Sequence, residues 1–411
     1  MRILILSPSV PFPADNGGKL RAAGVAHALA ARHDVVVGCL AEPGMPVGRP
    51  KGTEMFREFK VVPRAARPSL SRRLLTRVPS DVHTLHSPEL AAWAEETIAR
   101  FSPDVLLAGD PALTPYVAAH TDRVRVLDYV CVATLQFDRL RALAPTASRP
   151  LWTLRRRKFA AYHARIAPVY DLCLVNSEED RTALVAEAAP WRRIEFVPNG
   201  LDLESYPLGL AMPQPTTLVF HGAVTYAPNL DAIQHFAEEI LPRVRAAIPE
   251  ARLLVTGRVS DPRLTVQAPG VEYTGYVPDV RPVVAGAIAC PVPLRAGAGG
   301  ARFKILEALA LGTPVISTTI GVEGLGVTHG RDVLLADEPA HFASHIVDVM
   351  QSPALRQSLS ESGRRLIERS YDWATLGERI VSMVGGLVAR RALVVPGSSR
   401  PRAQRRQRSP I

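Results

Sequence analysis

Between Pro293 and Ser317 the chain reads Pro-Leu-Arg-Ala-Gly-Ala-Gly-Gly-Ala-Arg-Phe-Lys-Ile-Leu-Glu-Ala-Leu-Ala-Leu-Gly-Thr-Pro-Val-Ile-Ser, a set of residue types suited to holding an anion. Gly297, Gly299 and Gly300 let a backbone turn approach a ligand closely, and a helix starting just after them aims free N–H groups at it. Arg295, Arg302 and Lys304 surround that turn with positive charge, and Glu307 lies one turn into the helix. Backbone donors and cations suit a phosphate, while a nearby carboxylate suits sugar hydroxyls. A nucleotide sugar carries both groups.

Three elements must position these residues: a strand over Ala287–Val292, a helix over roughly 301–311 and a strand over Pro314–Ser317. The whole chain repeats this rhythm of short apolar runs and helical stretches, the pattern of doubly wound parallel sheets. Ile3–Ser7, Val35–Leu40, Val105–Ala108, Val124–Tyr129 and Leu172–Val175 read as strands of a first sheet, with a helix over Lys19–Arg32. A second series begins at Leu218, with a long helix over Asn229–Ala247 and a strand over Leu253–Thr256. Residues 199–215 are rich in proline and glycine and read as a connector. The expected fold is therefore α/β, with two Rossmann-like domains facing a cleft, since such sheets bind ligands beyond the C-terminal ends of their strands. The first domain spans 1–198 and the second 216–372; a last helix covers 373–392 and a basic tail 393–411.

The segment around Lys304 resembles the donor-site motif of family-4 glycosyltransferases, retaining enzymes of the two-domain GT-B architecture. It is most similar to a bacterial subset with a glycine-rich turn, a Lys and then Leu-Glu-Ala. Further stretches carry the resemblance in order: Leu174-Val-Asn-Ser-Glu-Glu-Asp180, Phe196-Val-Pro-Asn-Gly-Leu-Asp202, Leu218-Val-Phe-His-Gly222, Leu254-Val-Thr-Gly257 and Tyr273-Thr-Gly-Tyr-Val-Pro-Asp279. It is strong over about residues 170–380 and weak over the first 150.

The resemblance implies a nucleotide-diphosphate sugar bound on the second domain, and a last helix that crosses back onto the first. Glu307 matches the second glutamate of the family's paired-Glu motif and would accept hydrogen bonds from the ribose, a role suited to an acceptor-only carboxylate. Gly222 would admit the phosphates, and the Tyr276-Val277 backbone would read the base. Two departures stand out. The first glutamate of the pair is replaced by Gly299, and the Arg and Lys that usually follow the Gly222 position are absent. Arg302 and Lys304, and less directly Arg295, are then the cations left to meet the diphosphate.

In the first domain, Gly17 and Gly18 resemble the family's double-Gly loop after the first strand. Lys19 and Arg21 either add charge there or belong to a solvated helix start. The family's first-domain His falls at Gly109, which leaves Asp110, or Asp128 on the next strand, as the polar group at that end of the sheet. No enzymatic nucleophile stands out. That fits the front-face retaining mechanism usual for the family, in which the departing diphosphate takes the acceptor's proton and the protein stabilises its charge. No Asp-x-Asp pair occurs, so no metal or other cofactor is expected.

At 411 residues, 47% hydrophobic and 21% charged, the chain has the composition of a globular protein. It contains no uncharged apolar run of about 18 residues, so a spanning helix is not expected. It starts directly on a strand, without the apolar region of a signal peptide. Cys39, Cys131, Cys173 and Cys290 lie in apolar surroundings and read as buried reduced thiols, which points to the cytoplasm. The net charge is +10, but seven arginines lie in residues 390–411, which contain no acid. Without them 42 basic residues face 39 acidic ones, a balance of +3. The tail lacks apolar periodicity and is expected to be disordered. It is either a solvated end or a contact to an anionic membrane surface on the inner face; nucleic acid is not expected, since no base-reading pattern accompanies the charge. A glycan, a lipid-linked sugar or a small molecule could be the acceptor, in polysaccharide or glycoconjugate synthesis. A sugar-nucleotide epimerase on the same fold and a non-catalytic sugar-nucleotide-binding protein are the alternatives.

Overall fold

The computed structural model describes residues 1–394, apart from 15, 43–44, 46–47, 65–75, 77, 225, 260–261 and 296–301. Gly299 and Gly300 of the glycine-rich turn and the arginine-rich segment 395–411 therefore lie outside the described residues.

Apolar runs build a first, parallel sheet from β1 (Arg2–Ser7), β2 (Asp34–Ala41), β3 (Glu58–Pro63), β4 (Val105–Ala108), β5 (Val124–Tyr129), β6 (Leu172–Val175) and β7 (Ile194–Phe196). Their spatial order is β3-β2-β1-β4-β5-β6-β7. Every residue of β4, β5 and β6 is buried, because helices cover both faces of a parallel sheet. The second sheet holds β8 (Gln214–His221), β9 (Arg252–Thr256), β10 (Val271–Gly275), β11 (Ala287–Val292), β12 (Val315–Ser317) and β13 (Leu334–Leu335). Its order is β10-β9-β8-β11-β12-β13, again with parallel pairing. The winding reverses between β1 and β4 and between β8 and β11, the two places where such sheets open a crevice for ligands. The two doubly wound domains expected from the sequence are thus present.

The last helix, Trp373–Val394, leaves the second domain and lies on the first helix of the chain, Gly17–Ala30. Trp373, Leu376, Ile380 and Val384 join the first domain's core. The two helices meet very closely: a Cβ at Gly24 would stand 2.0 Å from the Trp373 ring, so no side chain fits there. Arg32 and Glu378 add an exposed ion pair at 2.6 Å.

The helix expected over 229–247 is interrupted. It is α-helical over Ala227–His235, widens by a turn over Phe236–Ile240 and resumes over Leu241–Ala247. Pro242 has no N–H to continue the ladder, and a wider turn absorbs the missing bond. All four cysteines are free.

Candidate active site

Polar groups concentrate where β8 and β11 end and the helix Phe303–Ala310 begins. Gly222, just past β8, has φ +129°, a backbone conformation that side chains rarely permit. Its bare Cα faces Lys304, whose Nζ would be 3.9 Å from a Cβ placed there. Gly257, at the end of β9, sits against it, with a notional Cβ only 1.8 Å from the Gly222 oxygen. Lys304 Nζ donates to Asn229 Oδ1 at 2.7 Å and stands 3.7 Å above the Phe220 ring centroid. Asn229 is itself fixed by its amide, which donates to the Ala223 carbonyl at 2.8 Å. Burial pushes the Lys304 amine down from 10.5 to about 7, against the opposing pull of Glu307. A cation this dehydrated gains strongly from an arriving anion.

One turn further along the same helix, both oxygens of Glu307 are engaged. Tyr206 OH donates to Oε1 at 2.9 Å, and His221 Nε2 lies 3.0 Å from Oε2. Tyr206 comes from the interdomain connector and is buried, which, together with the charge of Glu307, drives its phenol up from its ordinary range. His221 is the last residue of β8, buried, with no partner for Nδ1. These contacts hold the carboxylate in one orientation and leave it partly open, at 14% side-chain exposure.

The other cations go elsewhere. Arg295 makes a two-pronged surface pair with Asp231, with Nε 3.1 Å from Oδ2. The Arg302 guanidinium donates to the Ile320 carbonyl at 3.2 Å and lies 3.8 Å from Glu323. Glu323 also receives Arg139 of the first domain at 2.6 Å, which bridges the two domains. Burial lowers the Arg302 pKa, and its Nε has no partner. Val277 is half-buried just beyond β10, beside Tyr276, whose exposed ring lies 5.4 Å from the Arg258 guanidinium.

Facing this, the first domain has a cavity of about 340 Å³ beyond the ends of β1 and β4, lined by Ser7, Gly18, Lys19, Gly109, Asp110 and Phe137 among others. Asn16 caps the helix Gly17–Ala30 by accepting from the Lys19 N–H at 3.1 Å. A Cβ on Gly17 would be 3.0 Å from the Phe303 ring, so the helix starts of the two domains abut.

Arg21 is a correction to the sequence expectation of added charge at the cleft, and Asp128, though it lines the cavity, has both oxygens engaged by it. Arg21 is fully buried, forked onto both oxygens of Asp128 and donating also to the Val197 carbonyl and Asn199 Oδ1. This pair ties the first helix, β5 and the connector together, and the Arg21 guanidinium points into the fold.

Asp110 lines the cavity and caps the next turn, accepting from the Ala112 N–H at 2.7 Å. Burial raises its carboxyl from 3.8 to about 6, against that hydrogen bond. Its folded pKa lies above the unfolded one, so its contribution to stability is full below about pH 4 and lost as pH rises through 6. Asp110→Asn is therefore expected to melt higher than the parent above pH 6 and equally below pH 4; thermal unfolding across that range checks it.

Among site residues not singled out from the sequence are Asn229, Tyr206, His221 and Phe220. Asn229 and His221 lie in stretches already quoted for the resemblance, but the partners that give them roles are distant in sequence.

Lys304 and Glu307 thus stand one turn apart at the C-terminal edge of the second sheet, opposite the first-domain cavity. Residues 16–205 match the family described as Glycosyltransferase Family 4, and residues 215–352 the one described as Glycosyl transferases group 1. A glycosyltransferase family is thus matched in each of the two domains. Glycogen synthase of Mycobacterium tuberculosis is 24% identical over 196 residues, 44% of this chain and 46% of that protein, so the chain spans about half the length of this curated relative. Sucrose-phosphate synthase from Thermosynechococcus elongatus has the same fold, with a TM-score of 0.70 at 17% identity over 95% of this chain and 100% of that one. Anabaena HepE in complex with UDP-glucose superposes with a TM-score of 0.63 at 14% identity, covering 94% and 100%. Among the described residues no helix is long and apolar enough to cross a membrane.

Proposed function

We propose that the protein transfers a sugar from a nucleoside-diphosphate donor, bound on the second domain, to a hydroxyl of an acceptor in the first-domain cavity, with retention of anomeric configuration. The observation that carries this reading is the pairing of Lys304 and Glu307 along one helix, with the Lys304 ammonium against the bare Gly222 backbone and the Glu307 carboxylate fixed one turn on. A diphosphate beside Lys304 places the ribose diol toward Glu307. HepE, whose structure was solved with UDP-glucose, illustrates the donor class on this fold.

In the reaction the bond between the anomeric carbon and the diphosphate oxygen breaks, and the acceptor oxygen bonds to that carbon on the same face. The departing oxygen takes the acceptor's proton. Lys304 and the N–H groups at the abutting helix starts meet the charge that grows on the diphosphate. Asp110, in the cavity with a carboxyl near pH 6, accepts a hydrogen bond from the acceptor and orients it. The Lys304 cation and helix N–H groups fill the place of a divalent metal in this scheme, so turnover should survive EDTA.

Product stereochemistry tests the reaction: NMR of the glycoside formed in EDTA is expected to show the donor's anomeric configuration. An inverted product would refute the front-face scheme, and absence of both transfer and donor hydrolysis would favour a binding protein. Glu307→Ala is expected to raise the donor KM by roughly 10- to 100-fold with little change in kcat, the loss of hydrogen bonds to a charged acceptor. Initial-rate kinetics over donor concentration checks it.

A further inference from the structure

Two helices of the first domain, Ala133–Leu143 and Arg149–Ile166, form a pair whose inner side lines the cavity through Gln136, Phe137 and Phe159. Their outer side has a different character. Residues 139–165 contain eight basic residues and no acidic one. Arg139 pairs with Glu323, and Arg156 takes Asp138 at 2.6 Å; Asp138 also lies 3.7 Å from Arg141. An open groove of about 720 Å³ between the helices is lined by Arg141, Thr146, Arg149, Pro150, Leu154 and Arg157, with no carboxylate among its lining residues. Beside it Leu151 and Leu154 stand 46% and 47% exposed, large apolar side chains among cations on one helix. Trp152 links the two sides, stacked on Phe137 of the cavity wall and covered by the Arg155 guanidinium.

We propose that this outer face docks on an anionic phospholipid bilayer. Arginines around an acid-free groove complement lipid phosphates, and exposed leucines beside them suit insertion among headgroups. A soluble polyanion would use the arginines but not the leucines. A helix is about 10–12 Å across, so docking brings the cavity to within one helix of the lipid surface. The proposal does not depend on the reaction: it is tested without donor or acceptor, so its failure leaves the transferase reading standing, and the converse holds.

The test is co-sedimentation of the full chain with phosphatidylcholine vesicles, with and without phosphatidylglycerol. Binding is expected only with the anionic lipid. Each cation near such a surface strengthens binding about fivefold, so Arg149→Glu with Arg157→Glu should weaken it at least roughly thirtyfold. Leu151→Ser with Leu154→Ser should weaken it several-fold, and these exposed substitutions should leave the melting temperature unchanged. A chain with Arg400, Arg402, Arg405, Arg406 and Arg408 changed to Gln should keep most of its binding. Loss confined to that tail variant, equal binding to neutral vesicles, or an oligonucleotide bound as tightly with the leucine variant unaffected would each overturn the proposal.

Discussion

Lys304→Ala is expected to lower kcat by about 10²- to 10³-fold while the donor KM changes only a few-fold, the effect of removing one preorganised group that meets transition-state charge. The ammonium is fixed by Asn229 and Phe220 before any ligand arrives, so it needs no reorganisation as the diphosphate departs. In the free protein burial holds its pKa near 7, and a bound diphosphate favours the charged form. Nucleotide binding at pH 8 should consequently take up a proton, and Lys304→Met should not; calorimetry in buffers of different ionisation enthalpy separates the two. A variant with parental kcat and parental proton uptake would remove Lys304 from the mechanism.

The second large effect concerns stability. Arg21→Met is expected to destabilise the protein by about 3–5 kcal/mol, because it leaves Asp128 buried and uncompensated. At this domain size that corresponds to a drop in melting temperature of roughly 10 °C or more. The Val197 carbonyl and Asn199 also lose their donor, which loosens the connector between the domains. Arg21→Met combined with Asp128→Leu should recover part of the loss, since the stranded charge is gone. Denaturant or thermal unfolding of the three proteins decides this, and a single-variant loss below about 1 kcal/mol would contradict a structural role for the pair.

Near-continuous apolar runs made β1, β2, β4, β5, β6, β8, β9 and β11 legible in the sequence, because strands buried on both faces leave no alternation to confuse. β3 was not readable: Glu-Phe-Lys-Val-Val-Pro is an edge strand with polar residues in an apolar pattern. The helix pair over 133–166 was not singled out from the sequence; one side of it lines a cavity and the other is basic. At the site, Lys304, Glu307 and Gly222 could be singled out as separate residue types. Their supports could not, since Tyr206 and His221 reach Glu307 across 101 and 86 residues of chain. The same distance effect hid the burial of Arg21, whose partner Asp128 is 107 residues away. Arg302 looked free beside a glycine-rich turn; the contact to Glu323 that draws it toward the domain boundary is a tertiary event.

A nucleoside-diphosphate site between Gly222, Lys304 and Glu307 should show itself in thermal unfolding with UDP-, GDP-, dTDP- and ADP-sugars in EDTA, for the parent and for Glu307→Ala. Saturating ligand at about 100 times its Kd stabilises the native state by roughly 2.7 kcal/mol, a shift of several degrees. Such a shift is expected for the parent with one base, largely lost in Glu307→Ala. No shift with any nucleotide, or an equal shift in both proteins, would contradict it.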